Sequence, residues 1–334
     1  MRKTLYLHIG SHRTATTSIQ QFMIKNFDAL IDAGYLYPFG MPRHLRLMNS
    51  LFSGNESVAE VAETMSKRAD QRQGDVTNIV LSDEDVSTRP DLSLLAQFQD
   101  HFDVKIVYSM RRQDLWLESW YFQNIKWQWN PLLSHCTFDE FLNHREDFYW
   151  IHYDRYVSSL EAMFGEENVL LTVFEKQQMP HGPVMEFCRT IGLTDMSGFS
   201  DAPHFNSSMS ASMVEFVRHL PLDTFNPPER DLLRIALEQV DWLHLKNTDK
   251  QSERLMPRQM REEIMQLYEN GNQKLASRRF SRADLFLDPL PDADAKLADL
   301  VLPPTAAELL EQFVAPLLIR LVQNGTISGK NQAK

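Results

Sequence analysis

The pattern of apolar and polar positions divides this chain into an alternating first part and a helical remainder. Four short apolar, β-prone runs stand out: Thr4–Ile9, Asn78–Ser82, Val104–Met110 and Asn168–Phe174. They are short enough for buried strands, and Gly10, Asp83, Arg111 and Glu175 follow them. Segments of helical period lie between and after the runs. That alternation predicts an α/β fold, with a central, mostly parallel sheet flanked by helices. Ligands of such sheets bind beyond the carboxyl ends of the strands, where Gly10, Asp83-Glu84 and Arg111 fall. The stretch Leu36–Asn55, carrying Pro38, Gly40, Pro42 and Gly54, reads as a loop-rich excursion near that edge.

Beyond about residue 200 helical period dominates, in Ser210–Leu220, Pro228–Leu243, Pro257–Ala276 and Thr305–Asn324, with proline-bearing breaks between them. Thr305 and Glu308 have capping-box spacing, and Pro316 predicts a kink in the last helix. The expected organisation is a core over 1–200, a helical extension of the same domain over 201–324, and a disordered polar tail over 325–334.

The chemistry is concentrated where the first run ends. Leu5 to Ile9 stops at Gly10; Ser11, His12 and Arg13 make a short turn; then Thr14, Ala15, Thr16, Thr17 and Ser18 lead into a helix-period segment with Ile19, Phe22 and Met23 on one face. Strand, loop and helix in that order form a phosphate cradle, because backbone N–H groups and a helix N-terminus meet the anion. The common nucleotide loop G-x-x-x-x-G-K-[ST] is damaged here. Ala15 stands in the second glycine slot, Thr16 in the lysine slot, and the cation comes three residues earlier, at Arg13.

The altered loop resembles the 5′-phosphosulfate loop of the sulfotransferases that use 3′-phosphoadenosine 5′-phosphosulfate (PAPS), whose usual form is Lys/Arg-[ST]-Gly-[ST]-[ST]. The matching residues are Arg13, Thr14, Ala15, Thr16 and Thr17, with Ala15 as the departure. A second match follows in Val104–Tyr121, where Arg111 ends a strand and Ser119 comes eight residues later on a helix. The turn Phe164-Gly165 before Asn168–Leu171, then Phe174-Glu175 and Phe187–Leu193, extend the resemblance over roughly residues 4 to 200. Asn206-Ser207-Ser208 and Ser277–Pro289 resemble a bacterial-type subgroup more loosely.

The resemblance implies a three-layer P-loop-like fold and a reaction with PAPS as co-substrate, PAP as product and no metal. Residues Gly10 to Ser18 would hold the 5′-phosphosulfate, Arg111 and Ser119 the 3′-phosphate, and Arg13 the leaving-group oxygen. Glu84, at the end of the second strand, matches by position the catalytic base of heparan-type members. Asp83, Asp85 and His12 remain alternatives for that role. His8 reads as a core or outer-layer residue. The acceptor is expected to be a small molecule or glycan bearing a hydroxyl, on a carbohydrate or glycolipid-like frame. Two other readings stay open: a P-loop small-molecule kinase, and a degenerate protein that binds PAP without turnover.

Composition narrows the partners. Among 334 residues, 34 basic and 45 acidic side chains give a net charge of −11, and no basic stripe appears, which argues against nucleic acid. Any anion site is therefore local. Cys136 and Cys188 are the only cysteines, fit no zinc pattern and suit a reducing compartment. The Leu5–Ile9 run is too short for a membrane span, and a cytoplasmic location is the expectation. Aromatic residues are dense from Trp116 to Tyr156, which suits either core packing or a sugar-binding face. The run Ser277–Arg282 reads as a nucleotide grip or a solvated helix end.

Overall fold

The computed structural model describes residues 2–72, 74–201, 209–245 and 254–325. The chain divides into two compact units: Met1–Gln113, Phe148–Phe205 and Met265–Pro289 form the first, while Asp114–Asp147, Asn206–Ile264 and Leu290–Lys334 form the second. Asn206-Ser207-Ser208 and the tail after Gly325 lie outside the described residues.

The first unit is α/β. Its sheet has five strands, β1 (Thr4–Gly10), β2 (Tyr35–Leu36), β3 (Asn78–Ser82), β4 (Asp103–Met110) and β5 (Val169–Val173), in the order β2-β3-β1-β4-β5. Every neighbouring pair is parallel. The four long strands are those the sequence pattern predicts. They are apolar runs because both faces are covered. On one face, Val80 and Val107 pack with Ile19, Phe22 and Met23 of helix α1 (Thr16–Lys25) and with Phe187 and Cys188 of the helix Pro183–Thr190. On the other, Tyr108 lies against Tyr153 and Tyr156 of the helix Tyr153–Phe164. The excursion after β2 is less loop-like than its prolines imply: Leu45–Phe52 is helical, burying Leu47, Met48 and Leu51 on one side.

The second unit is helical among its described residues. Thr305 and Glu308 make the expected capping box. Ahead of Pro316 the last helix widens into a π-turn over Leu310–Val314, as expected where proline removes a backbone donor. A fully buried Arg261 donates to Asp114 at 2.8 Å and to Glu118 at 2.6 Å, and Glu118 also accepts from the backbone of Leu255 and Met256. Trp116 and Tyr121 are buried, and the Arg234 guanidinium sits 4.1 Å over Trp127. Most of the aromatic density is therefore packing; Trp129 here, and Tyr149 of the first unit, are exposed exceptions. No described helix is long and apolar enough to cross a membrane.

Candidate functional site

β1 lies between β3 and β4, so the residues that end these three strands meet at one edge of the sheet. The register between β1 and β4 shifts between His8 and Gly10. Such an irregularity re-aims the chain as it leaves the sheet. Ser11 is then tied to β4, its backbone N–H and its hydroxyl both donating to the Ser109 carbonyl. Thr14 closes the turn by donating to the Ser11 carbonyl at 2.6 Å.

The backbone of this loop changes hand repeatedly. Gly10 has φ 87°, Arg13 φ 66° and Ala15 φ 61°, and the residues between them are not in the left-handed region. Alternation of this kind turns successive N–H groups toward one concave side, a shape that binds anions. α1 then begins with Ala15 as its N-cap and no side chain capping it. Thr16 is buried and Thr17 exposed at that end. The positive end of α1 is therefore open to an anion rather than satisfied by a local Ser or Asp.

Ala15, at φ 61°, adopts the left-handed geometry that favours glycine. A methyl group there costs about 1–2 kcal/mol. Ala15→Gly is expected to raise stability by up to about 1 kcal/mol, the remainder being offset by the greater freedom of the unfolded glycine. Thermal unfolding checks this; a lower melting temperature would contradict the left-handed geometry.

Arg111 reaches this loop. Its Nη1 donates to the Arg13 carbonyl at 2.7 Å, its backbone N–H donates to the Tyr153 hydroxyl, and its guanidinium lies 5.6 Å from the Phe174 ring centroid. Ser119 is assigned to the second unit, on the helix Gln113–Trp127.

The segment after β3 approaches from the other side. Gly10 is needed for it: a Cβ at Gly10 would stand 2.8 Å from the Glu84 Cβ and 3.2 Å from its Cα. Gly10→Ala combines that overlap with the positive φ, and is expected to cost roughly 2–4 kcal/mol. Urea unfolding measures it, and an unchanged midpoint would contradict the close approach. Glu84 is buried and accepts from Gln20 Nε2 at 2.7 Å. His12, only 2% exposed, pairs through Nε2 with Asp85 Oδ1 at 2.8 Å.

Sequence reasoning missed Arg43. Its Nε lies 2.7 Å from Asp83 Oδ1, its Nη1 3.4 Å from Glu84 Oε1 and its Nη2 2.6 Å from Asp85 Oδ1. Burial works against the guanidinium charge, but the three carboxylates outweigh it and raise its pKa further. Burial pushes the Asp83 carboxyl up to about 6 against the pull of Arg43. Burial also acts to raise Asp85, yet the His12 hydrogen bond and the Arg43 charge hold it at about 2. Two further histidines support the segment as neutral groups. His8 bonds the Ser82 hydroxyl at 2.8 Å, and burial lowers it to about 3; its Nε2 is buried without a hydrogen-bond partner, so it is not fully satisfied. His44 Nδ1 accepts from the Ser82 backbone, and burial lowers it to about 4.

The structure thus brings Gly10 to Ser18, Asp83 to Asp85, Arg43 and Arg111 to one edge of the first unit. It leaves the arginines of Ser277–Arg282 elsewhere: Arg278 and Arg279 both bind Glu161, and Arg282 binds Gln178. Among the described residues, no group of three or more His, Cys, Asp or Glu is arranged to hold a metal ion.

No family model matches the chain, and no curated protein matches its sequence. Among solved structures, it is similar to a sulfotransferase from Alicyclobacillus acidocaldarius, with a TM-score of 0.40 and 15% identity, over 74% of this chain and 98% of that one.

Proposed function

We propose that this chain is a PAPS-dependent sulfotransferase acting on a hydroxyl of a carbohydrate or glycolipid-like acceptor. The observation that carries the reading is the loop from Gly10 to Thr17. It follows a central parallel strand, alternates in hand, and delivers an uncapped helix end together with Arg13. Those features suit a phosphosulfate, whose charge is spread over several oxygens.

In the proposed reaction the acceptor hydroxyl attacks the sulfur of PAPS. Its proton passes to the Glu84 carboxylate as the new S–O bond forms. The bond from sulfur to the 5′-phosphate oxygen breaks, and PAP leaves with the electron pair. Arg13 and the N–H groups of the loop meet the charge that grows on that oxygen, a role worth more in the transition state than in the ground state. Arg111 supports the loop through the Arg13 carbonyl and supplies a planar cation suited to the 3′-phosphate. A cytoplasmic location belongs to this reading, supported by two free cysteines.

The kinase alternative requires a cation at the γ-phosphate, and the position that needs lysine is Thr16. The degenerate alternative rests on Ala15, whose backbone nevertheless keeps the glycine-like conformation. Thermal shift separates the kinase reading, since PAP without divalent metal should raise the melting temperature and ATP with magnesium should not; a sulfate-transfer assay with PAPS then separates the degenerate one. The reverse order would sink the sulfotransferase reading.

A further inference from the structure

We infer that Arg43 is a positioning residue, the clamp that sets the acidic segment Asp83–Asp85 against the phosphate loop. Its catalytic meaning rests on the proposed sulfuryl transfer, but its geometry does not. Three nitrogens of one guanidinium face three consecutive carboxylates, at 2.7, 3.4 and 2.6 Å. Consecutive side chains leaving the end of a strand ordinarily diverge, and three like charges repel. A single planar cation offsets both effects: its Nε donates a hydrogen bond to Asp83, and its two Nη groups stand at ion-pair distance from Glu84 and Asp85. Two of the clamped groups touch the loop side directly: Glu84 packs on Gly10 and accepts from Gln20 of α1, and Asp85 pairs with His12. Arg43 therefore governs where Glu84 and His12 stand without being required to touch substrate.

The charged and titratable groups around the clamp come from four elements. His8 comes from β1 through Ser82, His12 from the loop, Tyr37 and His44 from the excursion after β2, and Asp83, Glu84 and Asp85 from the clamped segment itself. The pH dependence follows from two of them. Asp83 has a raised folded pKa, so its contribution to stability falls as pH rises from the unfolded value toward about 6. Asp85 has a depressed one, so its contribution is present above the unfolded value and is lost as pH falls toward about 2. Removing the Arg43 charge worsens both at higher pH. The stability deficit of Arg43→Gln should consequently grow with pH.

The test compares wild type, Arg43→Lys, Arg43→Gln and the double variant Arg43→Gln with Asp83→Asn. Melting temperatures are taken at about pH 4.5 and about pH 7.5, where the Asp83 charge differs most. The expected result is a larger deficit for Arg43→Gln at the higher pH, a small deficit for Arg43→Lys, and a double variant whose deficit depends much less on pH. If Arg43→Gln does not fold, the double variant, which lacks the carboxylate most dependent on the clamp, still has to fold and outlast it. Turnover of PAPS gives the second readout: kcat should fall on the order of tenfold to a hundredfold for Arg43→Gln, through misplacement, with KM for PAPS little changed and partial rescue in Arg43→Lys. Equal deficits at both pH values, or an unchanged kcat in a folded Arg43→Gln, would overturn the inference. A wild type that binds no PAP would instead sink the functional reading, and the melting series would still decide the clamp.

Discussion

If Glu84 is the base of the proposed sulfuryl transfer, Glu84→Gln should leave PAP affinity near that of wild type and lower kcat by about 10²–10⁴-fold. Glutamine keeps the size of the side chain and an oxygen for Gln20 Nε2, which bonds Glu84 at 2.7 Å, so the packing against Gly10 survives. What is lost is basicity. Arg43 keeps two of its three carboxylates, Asp83 and Asp85, which limits the structural damage. Calorimetry with PAP and steady-state transfer from PAPS separate binding from chemistry. If Glu84→Gln keeps full activity while His12→Ala abolishes it, the base is His12, which Asp85 would orient through Nε2.

In the proposed reaction Arg13→Ala should damage both binding and turnover. The Arg13 side chain carries the cation of the loop, and its own carbonyl is held by Arg111. Alanine at the same left-handed backbone position removes the guanidinium without relieving the φ of 66°. A charge-assisted hydrogen bond to phosphate is worth roughly 1.5–3 kcal/mol, so PAP should bind at least about tenfold more weakly. The fall in kcat adds to this, because the bridging oxygen gains charge in the transition state. Arg13→Lys should recover much of both, since a point cation can occupy the same place. Titration calorimetry and single-turnover rates check the pair, and unchanged PAP affinity in Arg13→Ala would remove Arg13 from the site.

Much of the fold was legible because a buried parallel strand is an uninterrupted apolar run with a sharp polar end. Gly10, Asp83 and Arg111 mark three such ends, and the sheet order sets them side by side. β2 was not legible: two residues, Tyr35-Leu36, carry no periodicity. The helix Leu45–Phe52 was hidden behind prolines and a glycine that belong to the turn before it. The handedness of Arg13 and Ala15 was equally hidden, since neither residue type announces a positive φ. Arg43 was the largest omission. Nothing in its neighbourhood along the chain marks it, and its three partners lie about forty residues downstream, joined to it only by the fold. Arg111 and Ser119 are paired by the family resemblance, eight residues apart, and the chain's division assigns Arg111 to the first unit and Ser119 to the second.

The proposed function assigns the loop from Gly10 to Ser18 to sulfuryl transfer and not to phosphoryl transfer. The most direct measurement incubates the protein with sulfur-35 PAPS, and in parallel with γ-phosphorus-32 ATP and magnesium, against one panel of hydroxyl-bearing glycans and glycolipids. A sulfotransferase puts sulfur label on an acceptor with release of equimolar PAP, requires no divalent metal, and transfers nothing from ATP. Phosphorus label on an acceptor, with PAPS left intact, would contradict that assignment.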